Sequence, residues 1–314
     1  MGRGEDKLLT GYLLAAVGSI AFSGKAIIVK LAYRYGVDPV TLIMYRMLFA
    51  LPFFAAMAWW ATYGQGGENR KALTGQDWRG VLGLGFSGYY LASMLDFAGL
   101  QFISASLERL ILYLNPTLVL VLSFLLFRRP VQTRHVLGMA LGYCGVLLVF
   151  GHEVQLQGGQ VALGALLVFL SALSYALYLI YSGELVQRLG SLRLVGLATT
   201  VACLLCLLQF VLLRPWSAAN VAPEVIWLSV LNATVCTALP VLVVMMALER
   251  IGASATALTG MIGPLATILM GVLILDEPFT PWVAFGTALV LAGIYVFSRV
   301  KRQPVPQPGA AGGN

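Results

Sequence analysis

Residues 103–130 read ISASLERLILYLNPTLVLVLSFLLFRRP, and residues 251–278 read IGASATALTGMIGPLATILMGVLILDEP. When position 103 is set on position 251 without a gap, the two stretches and the residues after them share serines, prolines and glycines at equivalent places. The equivalent pairs are Ser106 with Ser254, Pro116 with Pro264, Pro130 with Pro278, Gly138 with Gly286, and Gly145 with Gly293. The chain therefore contains an internal repeat.

The composition leaves little polar material to cover a surface in water. Of the 314 residues, 59% are hydrophobic and 11% are charged, and the mean hydropathy is +0.86. Soluble domains are about 45–50% apolar and about 25% charged. We therefore predict an integral membrane protein, and we interpret the net charge of +7 as a topology signal rather than as a sign of nucleic-acid binding.

Ten apolar stretches approach the roughly 20 residues that a helix needs to cross a bilayer. They cover residues 9–33, 39–61, 80–99, 104–127, 134–151, 161–185, 194–213, 225–247, 252–275 and 281–299. The predicted fold class is an all-α integral membrane protein with ten transmembrane helices. Because each half contains an odd number of spans, the second half enters the membrane upside down, which gives two inverted five-helix repeats. We assign residues 9–151 to the first repeat, 161–299 to the second, and 300–314, rich in proline and glycine, to a disordered cytoplasmic tail.

The distribution of basic residues predicts the orientation of the chain. With the N-terminus in the cytoplasm, 14 of the 20 lysines and arginines fall in cytoplasmic segments, whereas only Arg34 and Arg214 fall outside. An excess of Lys and Arg on the cytoplasmic side is the usual pattern of multi-pass membrane proteins. We therefore predict a multi-pass protein of the cell (inner) membrane, surrounded by the lipid bilayer, with both termini cytoplasmic.

The repeated residues resemble those of one transporter family. The two copies begin with Ser-Ala-Ser at 104–106 and Gly-Ala-Ser at 252–254, carry a proline in mid-span, end on Arg-Pro or Glu-Pro, and precede spans rich in small residues. With Arg46 in the second span, this pattern resembles the EamA type of the drug/metabolite transporter (DMT) superfamily over nearly the whole chain. The family usually has an acidic residue at the end of both the fourth and the ninth spans. Glu277 keeps that residue, but Arg129 replaces it in the first copy.

The resemblance implies a secondary transporter that exports a small metabolite, such as an amino acid or an organic acid, by alternating access. The sequence agrees with a secondary carrier, because it contains no P-loop that would bind ATP. Uptake or exchange of a phosphorylated or nucleotide-linked metabolite is the alternative within transport. One chain already contains both repeats, so a monomer would suffice, and a homodimer stays open.

An integral membrane enzyme is the alternative from another class of protein. It would need paired acid, base or metal-binding groups near an interface. Cys203 and Cys206 have the spacing of a metal or redox pair, but no third or fourth ligand lies nearby in the sequence, and the chain has only two histidines. We therefore predict that the protein is not an enzyme and that it has no cofactor and no metal site.

Six ionisable side chains fall inside predicted spans, where each costs about 2.5–3.5 kcal/mol to insert. They are Lys25, Lys30, Arg46, Asp96, Glu108 and Arg109. The four cations outnumber the two carboxylates, and this excess favours a substrate that carries a carboxylate or a phosphate. We predict that Lys25 and Arg46 face a polar cavity, with an Arg46–Asp96 ion pair as the alternative. We predict that Lys30 and Arg109 extend to the lipid headgroups.

The second half of the chain offers uncharged polar residues instead. Tyr175 and Tyr178 share a helical face with serines of the sixth span, and Asn232 lies in the eighth span. A tyrosine in mid-membrane needs a partner for its hydroxyl, so we place these tyrosines and Tyr89 of the third span at the cavity. The candidate substrate-binding residues are Lys25, Arg46, Tyr89, Asp96, Glu108, Tyr175, Tyr178 and Asn232. The predicted helix kinks near the cavity are at Pro116 and Pro264.

Overall fold

The computed structural model describes residues 2–63, 73–128 and 133–298, and every long regular element within those ranges is a helix. The predicted tail at 300–314, together with Arg129 and Pro130 of the repeat, lies outside the described residues. The α-helices are α1 (Gly2–Tyr33), α2 (Pro39–Tyr63), α3 (Gly75–Leu84), α4 (Ala92–Gly99), α5 (Ala105–Leu112), α6 (Asn115–Phe127), α7 (Thr133–Gln157), α8 (Gln160–Leu189), α9 (Ser191–Leu213), α10 (Pro223–Ala233), α11 (Leu239–Gly260), α12 (Ile262–Leu275) and α13 (Pro281–Ser298).

The lengths and compositions of these helices confirm the predicted membrane class. Eight helical stretches among the described residues are long and apolar enough to cross a bilayer, and two shorter apolar helices follow at Ile262–Leu275 and Pro281–Val296. Some stretches combine two helices, as α3 and α4 do across a π-helical turn at Gly85–Leu91. The number of crossings, ten, stays a prediction.

The structure differs from the sequence prediction between the eighth and ninth spans. A loop was expected at residues 248–251, but the backbone is helical from Leu239 to Gly260. The chain nevertheless turns back within this helix, because Val244 packs on Gly18 of α1 while Gly260 lies against the adjacent Ser19. The chain reverses direction at a sharp corner whose residues stay helical. The backbone groups at this corner are therefore hydrogen-bonded within the helix, and no polar loop is needed.

The repeat is visible in the backbone as well as in the sequence. Arg128 and Asp276, which are equivalent positions, both end a helix in the left-handed conformation, with φ of 53° and 59°. Few residues other than glycine adopt positive φ, so its occurrence at both equivalent positions agrees with the repeat. A π-helical turn at Gly85–Leu91 also has its counterpart at Thr234–Ala238. Each half therefore has a left-handed helix end and a π-helical turn at equivalent positions.

The contact between α7 and α13 relates the two repeats by a pseudo-two-fold axis. A Cβ on Gly145 would lie 2.5 Å from the carbonyl oxygen of Gly286, and a Cβ on Gly293 would lie 2.6 Å from that of Gly138. Gly138 and Gly286 are repeat equivalents, and so are Gly145 and Gly293, so the interface is the same patch used twice. Small residues permit this close antiparallel approach of two membrane helices.

The remaining helices interleave the two repeats. In the first repeat, α1 packs on α11 and α12 of the second, and α8 of the second packs on α4 and α6 of the first. Between them, α2 packs on α9, again one helix from each repeat. The helices of the two halves are therefore intertwined, and both halves line the space between them.

Candidate functional site

Three of the predicted residues meet in a buried ionic cluster in the first repeat. The ammonium of Lys25 lies 2.5 Å from Asp96 Oδ2 and 3.2 Å from Glu108 Oε1. All three side chains are buried, and Glu108 is fully so. Asp96 Oδ1 and Glu108 Oε2 accept no hydrogen bond. Lys25 is therefore the ion-pair partner of two carboxylates from different helices, α4 and α5.

Arg109 lies beside this cluster but has different partners. Its Nε donates to Thr267 Oγ1 at 2.9 Å, and its Nη2 donates to the Phe22 carbonyl oxygen at 3.1 Å. The guanidinium carbon lies 5.4 Å from the centre of the Phe22 ring, and the ammonium of Lys25 lies 5.9 Å from the same centre. Among the described residues, no carboxylate lies within 4.0 Å of Arg109. Its contacts are thus with neutral groups only.

Arg109 forms part of the wall of a cavity of about 460 Å³ between the repeats. The first repeat contributes residues of α1, α5 and α6, and the second contributes residues of α11 and α13. The cavity residues on which the following arguments depend are Ser19, Phe22, Arg109, Leu112, Tyr113, Val241, Met261 and Ile294. A volume of this size is within the usual range for small-molecule pockets.

Both mid-span prolines lie at breaks that shape this cavity. The helix is interrupted at Tyr113 before Pro116, and at the equivalent Met261 before Pro264. Pro264 has no N–H to donate to the carbonyl of Gly260, four residues earlier. The hydroxyl of Tyr113 donates to that carbonyl at 2.7 Å, across the boundary between the repeats. Pro116 itself lines the cavity.

Arg46 occupies a second buried position, away from the described cavity wall. Its Nε donates to Thr237 Oγ1 at 3.2 Å, and its guanidinium carbon lies 5.2 Å from the centre of the Phe97 ring. Thr237 in turn donates to the backbone carbonyl of Asn232 at 2.8 Å. The Arg46 Nη1 and the Asn232 Oδ1 are buried without a hydrogen-bond partner. The predicted Arg46–Asp96 ion pair is not formed, because Asp96 is bonded to Lys25.

The three predicted tyrosines form a cluster of their own between α3, α4 and α8. The hydroxyls of Tyr89 and Tyr178 lie 3.3 Å apart, and the Tyr175 and Tyr178 rings are stacked with centres 5.4 Å apart. Tyr178 packs directly on Gly88. Ser171 and Ser174 of the same helix donate to the carbonyls of Ala92 and Ser87. These contacts hold α8 to the third span, and they are separate from the Arg109 cavity.

A polar pocket of about 440 Å³ lies near the other end of α1. There Glu277 of the second repeat accepts hydrogen bonds from the backbone N–H of Ala105 and from both the N–H and the hydroxyl of Ser106. Glu153 accepts from Ser104, the N-cap of α5. Carboxylates are favoured at a helix N-terminus by the helix dipole and the free N–H groups. Glu277 therefore binds the start of α5 across the repeat boundary.

The prediction that Arg109 extends to the lipid headgroups is wrong, because its side chain is buried and bonded to α1 and α12. Lys30 is partly buried and donates to the carbonyls of Ile103 and Leu100. Sequence reasoning left both Arg109 and Tyr113 out of the candidate site. A usable signal existed: Arg109, Tyr113 and Pro116 have i, i+4, i+7 spacing and so share one helical face.

A model of the EamA-like transporter family matches residues 9–151 and 162–299. The chain belongs to the EamA-like transporter family. Its relatives include the uncharacterized transporter YcbK of Bacillus subtilis, which is 29% identical over 274 residues, covering 85% of this chain and 86% of that protein. An uncharacterized transporter of Archaeoglobus fulgidus is 21% identical over 93% of this chain and 98% of its own length. Membership of a transporter family indicates a membrane transporter rather than an enzyme.

A substrate is named for a more distant relative. The S-adenosylmethionine/S-adenosylhomocysteine transporter of Chlamydia trachomatis is 25% identical over 219 residues, which is 66% of each chain. A crystal structure superposes with a TM-score of 0.60 over 91% of this chain and 95% of its own, at 19% identity. That likeness shows a shared fold. The EamA fold has two inverted repeats, as the backbone and the glycine interface of this chain also have.

Proposed function

We propose that this EamA-family protein is a secondary transporter that exports a small metabolite, and that Arg109 binds a carboxylate of that metabolite. The observation that carries the proposal is that Arg109 is only 3% exposed and lines the cavity, yet no described carboxylate pairs with it. A buried charge without a partner costs several kcal/mol, roughly, so an unpaired guanidinium favours an anionic ligand. Two of its five N–H donors are used by the protein, which leaves donors for a carboxylate.

The ionic cluster supports the choice of Arg109 over Lys25. Lys25 is already paired with Asp96 and Glu108, and these three groups together carry one net negative charge, so the other buried cations are Arg46 and Arg109. Of these two arginines, Arg109 is the one on the cavity wall. We propose that two groups of buried residues outside the cavity lining influence the electrostatic potential of the site. One is the Lys25 cluster, and the other is the region around Arg46 and Asn232.

Transport by alternating access would require the repeats to separate along α5. Three contacts now join α5 and its C-terminal end to residues 260–277 of the second repeat: Ala105 and Ser106 to Glu277, Arg109 to Thr267, and Tyr113 to Gly260. Breaking them would open the cavity towards the Glu277 pocket. We propose that residues 9–151 and 161–299 rock as two repeats in the inner membrane, with both termini and the 300–314 tail in the cytoplasm.

The experiment is metabolite profiling of the growth medium of cells that produce the protein. We expect at least one carboxylic acid to accumulate outside cells with the wild-type protein and not outside cells with Arg109→Gln. The matched control is Arg79→Gln, because Arg79 is exposed and distant in the chain from the cavity residues. Accumulation that persists with Arg109→Gln at equal protein levels would remove Arg109 from the site. Depletion of a metabolite from the medium would show uptake instead of export.

The second candidate function is uptake or exchange of a phosphorylated or nucleotide-linked metabolite; the substrates named for the Chlamydia relative are nucleoside-linked and contain no phosphate. A phosphorylated substrate needs several donors or cations around its phosphate. Arg109 is the one charged residue among the described residues that line the cavity. The described cavity therefore fits a single carboxylate better than a phosphate. The same profiling experiment would reveal a nucleotide-linked compound directly.

A further inference from the structure

The cavity is polar at one point and apolar over most of its wall. Around Arg109, the described lining consists largely of aliphatic and aromatic side chains, including Phe22, Leu112, Met261 and Ile294. Two of the hydroxyls that line the cavity donate to backbone carbonyls of the second repeat: Ser23 donates to Gly263 and Tyr113 donates to Gly260. An apolar lining with one charged group binds a molecule that has one charged end and an apolar body.

The described lining of the cavity contains no carboxylate that would pair with an ammonium. The two nearby carboxylates, Asp96 and Glu108, are bonded to Lys25 and do not line the cavity. An α-amino acid bound to Arg109 would therefore bury its ammonium without a counter-ion, and such burial is unfavourable.

We propose, resting on the assignment of Arg109 above, that the substrate is a monocarboxylate with an apolar body and no amino group beside the carboxylate. Its carboxylate binds Arg109, and its body occupies the space bounded by Phe22, Leu112, Val241 and Met261. The corresponding α-amino acid binds more weakly, because its ammonium loses water and gains no carboxylate counter-ion. An amine without a carboxylate is excluded by repulsion from Arg109.

The test uses three probes of nearly equal shape: 3-phenylpropionate, phenylalanine and phenethylamine. Their binding to the purified full-length protein in lipid nanodiscs is measured by equilibrium dialysis and by the shift of the melting temperature. We expect 3-phenylpropionate to bind at least about tenfold more tightly than phenylalanine. Burying the ammonium without a counter-ion costs more free energy than a tenfold difference in affinity represents. We expect phenethylamine not to bind.

Two variants make the outcome decisive. Arg109→Gln should abolish the preference for the carboxylate, and Arg79→Gln should leave it unchanged. If Arg109→Gln does not yield folded protein, Arg109→Lys serves instead, and it should weaken 3-phenylpropionate by roughly tenfold through loss of the bidentate bond. These results would support the proposal.

Phenylalanine binding as tightly as 3-phenylpropionate, with both lost in the Arg109 variant, would overturn this inference and leave the proposed function intact. Binding of 3-phenylpropionate that does not depend on Arg109 would overturn both. If no probe binds although Arg109-dependent export is seen in the profiling experiment, the substrate class inferred here is wrong and the transport function stands.

Discussion

Lys25 lies between two carboxylates that have no other cation within ion-pair distance among the described residues. One ammonium therefore neutralises one of the two negative charges that come from α4 and α5, and it joins both helices to α1. Arg109 makes the opposite arrangement, with neutral protein partners and a cavity in front of it. Two cations in one buried region thus have different surroundings, and only for Arg109 do we propose a role in binding.

We expect Lys25→Met to destabilise the protein strongly. The variant leaves Asp96 and Glu108 buried without a counter-ion, and removing one partner of a buried ion pair costs about 3–5 kcal/mol. The melting temperature in detergent should fall by many degrees. Combining Lys25→Met with Asp96→Asn and Glu108→Gln should recover most of the loss, because no buried charge is then left unpaired. A single Lys25→Met protein as stable as the wild type would contradict this assignment.

The elements around the cavity show how a helix break is used. Pro264 removes the backbone donor for the Gly260 carbonyl, and Tyr113, at the equivalent break in the first repeat, supplies a hydroxyl in its place. In the first repeat the side-chain amide of Asn115 donates to the Leu112 carbonyl, which Pro116 leaves free in the same way. Each break is thus satisfied by a side chain, and one of these side chains belongs to the other repeat.

A double-mutant cycle tests this bond between the repeats. Tyr113→Phe should lower the melting temperature, because the Gly260 carbonyl loses its donor, a loss worth about 1–3 kcal/mol for a buried group. In a Pro264→Ala background the restored backbone N–H can donate to the same carbonyl, so the effect of Tyr113→Phe should be clearly smaller. Equal shifts in the two backgrounds would mean that the hydroxyl stabilises the protein in some other way.

In the molecule as a whole, the inversion of the second repeat explains why equivalent positions at the ends of the repeated helices carry opposite charges. Arg128 and Asp276 are equivalent residues with the same left-handed backbone conformation, yet they carry opposite charge. Under the predicted topology Arg128 faces the cytoplasm and Asp276 faces outwards. Basic residues favour the cytoplasmic side, so an inverted copy is expected to lose its arginines at this position.

Cysteine labelling of intact cells checks this topology. In a background without Cys144, whose side chain is exposed, a membrane-impermeant maleimide should label Ser217→Cys without permeabilisation. Gln76→Cys should be labelled only after the cells are permeabilised. Both sites are exposed in the structure, so the difference would report the side of the membrane. Labelling of Gln76→Cys in intact cells would mean that the N-terminal half has the opposite orientation.

The membrane class and the repeat follow from the sequence alone. Hydrophobic length decides whether a segment enters the bilayer, and this is a local property that the chain carries in any conformation. The alignment of Pro116 with Pro264 and of Gly145 with Gly293 likewise needs no coordinates. The sequence did not reveal that the chain stays helical between the eighth and ninth spans, because a sharp helical corner has no loop composition by which it can be recognised.

The partners of the charged residues were decided only by the tertiary structure. The sequence grouped Lys25, Arg46, Asp96 and Glu108 as intramembrane charges, but which cation takes the carboxylates depends on the crossing of α1, α4 and α5. The same crossing buries Arg109 against Thr267 from the other repeat, far away in the chain. Electrostatic pairing depends on distance in space, and distances between helices are set by packing rather than by the order of residues.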